Sequence, residues 1–202
     1  RWPRIEGGRD STGDRHILAV DTESCRLYEL YDAHKADGRR HWRAGSGAIF
    51  DLRSNALRPD GWTSADAAGL PIFPGLVRYF EARRDAIDHA IRFTAPRTQD
   101  TYVWPARHEA SSDPDPDLPP MGTWFRLRGD VDLTGYSGEA RAVLEALKVH
   151  GMILADNGSP WYLSGAPNRK WDNDALRALG DFTGADFEAV DASCLQVAPD
   201  SG

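Results

Sequence analysis

The chain is poor in several things. It has only two cysteines and three lysines, and its longest clean apolar runs, Ile17 to Val20 and Met152 to Ala155, are four residues each. A helix crossing a bilayer needs about 20 consecutive apolar residues, so the expectation is a soluble chain with no membrane partner. Lys+Arg number 24 against 31 Asp+Glu, a formal charge of −7. Nucleic-acid binders depend on a basic face to neutralise phosphates, and that balance excludes a general one. Cys25 and Cys194 have no second Cys or His at ligand spacing, which argues against a zinc knuckle. They read either as a long-range disulfide or as two buried thiols. There is no glycine-rich loop ending in GK[ST], no G-x-S-x-G elbow and no H-E-x-x-H, so the chemistries built on those devices lose their support.

What is present is ordinary globular material: 41% hydrophobic, 10% aromatic and 27% charged residues in 202. The chain starts at Arg1 without Met, as a trimmed or mature fragment would. Residues 1–14 carry Pro3 and glycine turns without periodicity and read as an N-terminal arm. Residues 15–202 read as a single domain. His16 to Asp21 and Cys25 to Tyr31 are β-compatible runs separated by three turn residues, the pattern of a hairpin. Asp32 to Arg40 reads as a polar loop. Further strands are expected at 48–53, 87–94, 101–104, 123–128, 152–155 and 160–164, with a strand or short helix at 76–81. Four Pro and three Asp in residues 113–120 force an exposed extended loop. Gly138 to His150 is the one convincing helix, with an apolar stripe of Ala142, Val143, Ala146, Leu147 and Val149 closed by Gly151. Short helices are expected at 173–180 and 183–190. The sum is a mainly β fold, a β-sandwich or jelly roll with one accessory α-helix, with α+β as the alternative.

Polar residues in apolar surroundings carry information, because burial without a partner is expensive. Glu29 shares a strand face with Leu27 and Tyr31, where a carboxylate flanked by aromatics becomes a general acid, or else a structural carboxylate. Asp51 in Ile49 to Arg53 has the same two readings. If their strands are neighbours, Glu29 and Asp51 could flank a glycosidic bond. Asp66 lies in a loop of small residues that leave room for a ligand, although a first-turn helix carboxylate reads equally well. His89 shares a face with Ile87, Ile91 and Phe93, the setting of a core histidine as much as of a catalytic one, while Arg92 points the other way. His16, His89 and His108 are the histidines that neighbouring strands could assemble into a metal site. Trp62, Trp104 and Trp161 stand in turn-rich contexts, where indole faces can stack on sugar rings. Asp156 and Asn157, five and four residues before Trp161, add hydrogen-bonding groups, as does His108 at a strand end.

The segments Asp51 to Pro71, Tyr102 to His108 and Leu144 to Ser159 resemble an uncharacterised family of exported bacterial single-domain proteins. The resemblance covers nearly the whole chain after Gly13. It implies one family-wide domain in a secreted or periplasmic location, and it carries no activity across. The residues themselves point to a carbohydrate-active enzyme, a glycoside hydrolase acting on a glycan substrate without cofactor or metal. In that reading Glu29 and Asp51 are the carboxylate pair, assisted by Asp66 and His89. Trp62, Arg92, Trp104, His108, Asp156, Asn157 and Trp161 hold the sugar. A glycan-binding module without catalysis and a histidine-bound metal enzyme are the alternatives.

Overall fold

The computed structural model describes residues 3–36 and 41–202, so the end of the polar loop expected at 32–40 and the first two residues of the arm lie outside the described residues. The fold is mainly strand, as the short alternating runs imply. Among the described residues it contains ten strands: β1 (Ile17–Asp21), β2 (Arg26–Tyr31), β3 (His34–Lys35), β4 (Trp42–Arg43), β5 (Ser46–Asp51), β6 (Ile91–Ala95), β7 (Trp124–Leu127), β8 (Met152–Asn157), β9 (Tyr162–Leu163) and β10 (Phe187–Val190). The α-helices among the described residues are α1 (Tyr79–Ala82), α2 (Gly138–Val149) and α3 (Asn173–Leu176).

The first sheet is antiparallel with order β1-β2-β5, and the hairpin between β1 and β2 forms as its sequence predicts. Asp21 closes the turn by accepting hydrogen bonds from the backbone of Glu23 and Ser24 and from the Ser24 hydroxyl. The second sheet is mixed, with order β10-β7-β8-β6-β9, and a two-stranded ribbon pairs β3 with β4. Residues 101–104, expected as a strand, make only an isolated bridge from Tyr102 to Met121. The segment 183–190, expected as a helix, is a 3-10 turn followed by β10. There the alternation of Phe187 and Ala189 suits pairing with Leu127 and Phe125. The region 76–81 resolves to helix, in α1.

Helix α2 buries Ala140, Ala142, Val143, Leu144, Ala146 and Leu147. Val149, expected on the buried stripe, is exposed, because the helix ends there. Gly151 makes the exit turn at φ +70°, where a Cβ would lie 2.5 Å from the Phe125 carbonyl oxygen, so glycine is required. The main apolar core joins α2 to β6, β7 and β8 through Ile91, Phe93, Leu127, Met152 and Leu154. Ile17, Leu27 and Ala48 of the first sheet are buried separately. What ties the two sheets together is the long connection at residues 63–77, and it does so through polar contacts.

Both cysteines are free thiols, Cys25 half-buried and Cys194 exposed, so neither the disulfide nor the pair of buried thiols is formed. Cys25 is committed to the β1–β2 turn, at φ +53°.

Candidate functional site

The 63–77 connection is gripped from both sides. From the first sheet, His16 Nε2 approaches the Ala65 carbonyl at 3.0 Å, the Ser46 hydroxyl donates to the Ser64 carbonyl at 2.7 Å, and Glu29 accepts from the backbone N–H of Ile72 and Phe73 at 2.9 and 2.8 Å. From the second sheet, the Ala155 carbonyl accepts from Ala68 N–H, and Ser164 and Val77 are joined through their backbones. Ser64 Oγ accepts from Asp66 N–H and donates to the Leu70 carbonyl, and Gly69 turns the chain at φ +74°. This tight loop aims the fully buried Asp66 at Arg92 of β6. The Arg92 guanidinium donates from Nε and Nη2 to the two Asp66 oxygens at 2.9 and 2.8 Å, a bidentate pair, and from Nη1 to the Ser164 hydroxyl.

A register shift then brings in the second carboxylate. Along the parallel β6/β8 pair, Ile91, Arg92 and Phe93 lie opposite Met152, Ile153 and Leu154, but Thr94 lies opposite Asp156, leaving Ala155 as an extra residue. Strict alternation would turn Asp156 toward the core with Leu154. The bulge turns it to the face that carries Arg92 and Thr94. On the other side of β6, Tyr162 of β9 lies opposite Thr94. Asp156, Arg92, Thr94 and Tyr162 therefore share one surface, with Asp156 Oδ2 3.9 Å from Arg92 Nη2.

That surface lines a cleft of about 1460 Å³, whose other walls are the arm from Pro3 to Arg9, His16, and Lys35 and Trp42 of the β3/β4 ribbon. The arm is held in place by Glu6, whose carboxylate is 2.7 Å from His16 Nδ1. Since a carboxylate and the Ala65 carbonyl can only accept, both ring nitrogens of His16 donate and the ring is an imidazolium. Burial opposes that charge, but the hydrogen bond and the field of Glu6 outweigh it and raise the His16 pKa. The same hydrogen bond lowers the pKa of Glu6. Burial also works against the Arg92 charge, and Asp66, Asp156 and Glu6 together overcome it. Asp156 goes the other way: burial, and then the negative field of Asp66, push its pKa to about 7 against the pull of Arg92. The cleft thus holds one carboxyl poised to keep a proton near neutrality and one, Glu6, poised to lack it.

The residues singled out in the sequence divide sharply. Arg92, Asp156 and Asn157 come together at this cleft, with Asp66 buried behind Arg92; Asn157 lines the cleft while its side chain bonds Thr98 and the Ala95 carbonyl. Glu29 and Asp51 do not form a pair. Asp51 lies opposite Arg26, three positions from Glu29 and so on the other face of the sheet, about 10 Å along the strand. Asp51 is exposed and bonded to Arg53, which lowers its pKa. Glu29 has the raised pKa expected of a general acid, about 7 through burial against its two backbone donors, but it is sealed under residues 72 and 73 and has no route to a substrate. Its work is structural.

His89 is taken up by the Ala90 carbonyl and by Glu81, and His108 by the Ala67 carbonyl. Among the described residues no group of three or more His, Cys, Asp or Glu is placed to hold a metal ion, so the histidine-metal alternative lacks a ligand set. The three tryptophans expected as a sugar platform serve elsewhere. Trp62 is exposed with the Arg58 guanidinium 5.3 Å above it, and Trp104 Nε1 donates to the Ser201 carbonyl. Trp161 stacks between Phe93 and Phe187 at centroid distances of 5.4 and 5.1 Å. Among the described residues the tryptophan and tyrosine rings at the cleft are instead Trp42 and the exposed Tyr162.

Sequence reasoning missed Glu6, Tyr162 and the role of His16. The only signal was weak: an acidic residue in a turn-rich arm, and a histidine opening a strand. Among the described residues no helix is long and apolar enough to cross a membrane. Comparison with protein-family models, with curated proteins and with solved structures returned no match.

Proposed function

We propose that this chain is a carbohydrate-active hydrolase that cleaves a glycosidic bond in the cleft, with Asp156 as proton donor and Glu6 as the opposing base. The reading rests on one observation: two carboxyl groups of opposite poise line the same cleft, Asp156 beside the Arg92 guanidinium and Glu6 beside His16. Glycosidic cleavage needs that asymmetry, since one group must protonate the leaving oxygen while the other activates water or attacks the sugar. Burial, and then the negative field of Asp66, keep the proton on Asp156 against the pull of Arg92, while His16 holds Glu6 ionised. Tyr162 and Trp42 offer ring faces for a pyranose, and Thr94, Asn157 and Ser159 offer hydrogen-bonding groups beside them. The finer architecture goes with this reading: the three- and five-stranded sheets are taken as the two layers of a sandwich, although the parallel β6/β8 pair departs from an all-antiparallel jelly roll. A secreted or periplasmic location and a glycan substrate belong to the same proposal.

The test is turnover and binding measured side by side on a panel of oligosaccharides. Asp156→Asn is expected to keep binding and lose turnover by about a hundredfold or more. Glu6→Gln is expected to lose turnover comparably. Unchanged turnover in Asp156→Asn overturns the catalytic assignment. A wild-type protein that binds a glycan and cleaves none of the panel is a binding module instead.

A further inference from the structure

The chain as a whole carries a formal charge of −7, yet the walls of its cleft are cationic. Arg4, Arg9, Arg15, His16, Lys35 and Arg92 line it, against Glu6, Asp14 and Asp156. Arg92 is answered by Asp66 and His16 by Glu6. Asp156 holds a proton for much of the time near neutrality, since its pKa is about 7. Arg15 is the informative one. Its guanidinium is buried, and its hydrogen bonds run to the carbonyl oxygens of Ala33, Arg9 and Ser11 at 3.1, 3.0 and 2.7 Å. Carbonyl oxygens satisfy N–H groups without cancelling a charge. A buried charge without a countercharge is costly, and a concave wall of low dielectric focuses its field into the opening.

We propose that the cleft selects acidic saccharides, sugars carrying a carboxylate such as hexuronic acids, with Arg4, Arg9 and Arg15 supplying the attraction. The proposal rests on the hydrolase reading for its sugar and adds the charge. Guanidinium groups suit the assignment, because their planar fork matches a carboxylate. Arg4 and Arg9 are exposed on the arm, where they can reach a ligand directly. Arg15 acts through its field and by holding the arm against the cleft. A protein of net negative charge repels polyanions at a distance, so a local cationic cleft confines that attraction to one place.

Calorimetric titration of the whole chain with α- and β-linked hexuronate tetramers, each matched to its carboxyl-reduced neutral counterpart, tests this without depending on turnover. At least one acidic tetramer should bind about tenfold or more tighter than its neutral partner, and added salt should narrow the gap. The double variant Arg4→Gln/Arg9→Gln, both positions exposed and outside the packed core, should lose most of the difference while leaving the neutral affinity unchanged. Equal affinity for acidic and neutral members of every pair overturns the charge selectivity and leaves the glycan cleft standing. If only neutral members bind, the inference is likewise wrong. Binding of neither class removes the sugar assignment itself, and the inference falls with it.

Discussion

Replacing Asp66 by Ala removes two charge-assisted hydrogen bonds and leaves the Arg92 guanidinium, whose side chain is 12% exposed, without its principal countercharge. Breaking a buried ion pair in this way costs about 3–5 kcal/mol, mostly because the remaining charge stays buried. Asp156, 3.9 Å from Arg92 Nη2, can ionise and recover part of it, so the lower end, about 3 kcal/mol, is expected. Arg92→Ala leaves Asp66 buried and unpaired and should cost a similar amount. The double variant should cost much less than the two added together, because neither orphaned charge remains, giving a coupling energy of about 2 kcal/mol or more. Urea denaturation at pH 7 of wild type, the two single variants and the double variant measures this cycle, with an unchanged m-value confirming that stability alone has moved. A coupling below about 1 kcal/mol, the range of solvent-exposed pairs, would refute the view that this pair fastens the 63–77 connection to the second sheet.

Glu29, with a folded pKa of about 7 against an ordinary 4.5, contributes stability that is full below pH 4.5 and is lost as pH rises through 7, a swing of about 3 kcal/mol. Glu29→Gln should flatten that slope between pH 5 and 8 and also lower stability by about 1–3 kcal/mol at pH 5, since its amide N–H₂ would face a backbone N–H; an unaltered slope contradicts the assignment. His16, whose raised pKa favours the folded state at low pH, ties down the arm through Glu6. Protease protection of residues 3–14 should therefore weaken as pH climbs through the raised His16 value and be lost at all pH in Glu6→Gln, as read by limited proteolysis. Gly69→Ala should cost about 1–2 kcal/mol for the left-handed backbone alone, and more for a Cβ 2.4 Å from the Trp62 carbonyl oxygen, in the same denaturation assay.

Local pattern made part of this site legible. Alternation across Ile91, Arg92 and Phe93 placed Arg92 opposite the two core residues, and the small residues around Asp66 marked a loop that could build a site. The Asp156-Asn157 pair after a buried strand was also visible. The rest depends on contacts that no local pattern encodes. Glu29 is sealed by backbone groups more than forty residues later, so its strand face alone could not distinguish a catalytic acid from a loop anchor. Asp156 faces the cleft because of one extra residue in β8, and a bulge has no hydrophobic period to betray it. The tryptophans drew attention by their turn-rich neighbours, yet Trp104 and Trp161 are held by Ser201 and by Phe93 and Phe187, partners remote in the chain. Glu6 had no periodic context at all, and only the folded arm brings it to His16.

The central claim, that burial and the field of Asp66 poise Asp156 as a proton donor against the pull of Arg92, is tested most directly by following the Asp156 side-chain carboxyl carbon by NMR as pH is varied in wild type and in Asp66→Asn. The account predicts a midpoint near 7 in the wild type, falling toward the ordinary aspartate range once the negative field of Asp66 is gone and Arg92 is left to favour the ionised form. A wild-type midpoint near 3.8, or one that does not move in Asp66→Asn, would contradict it.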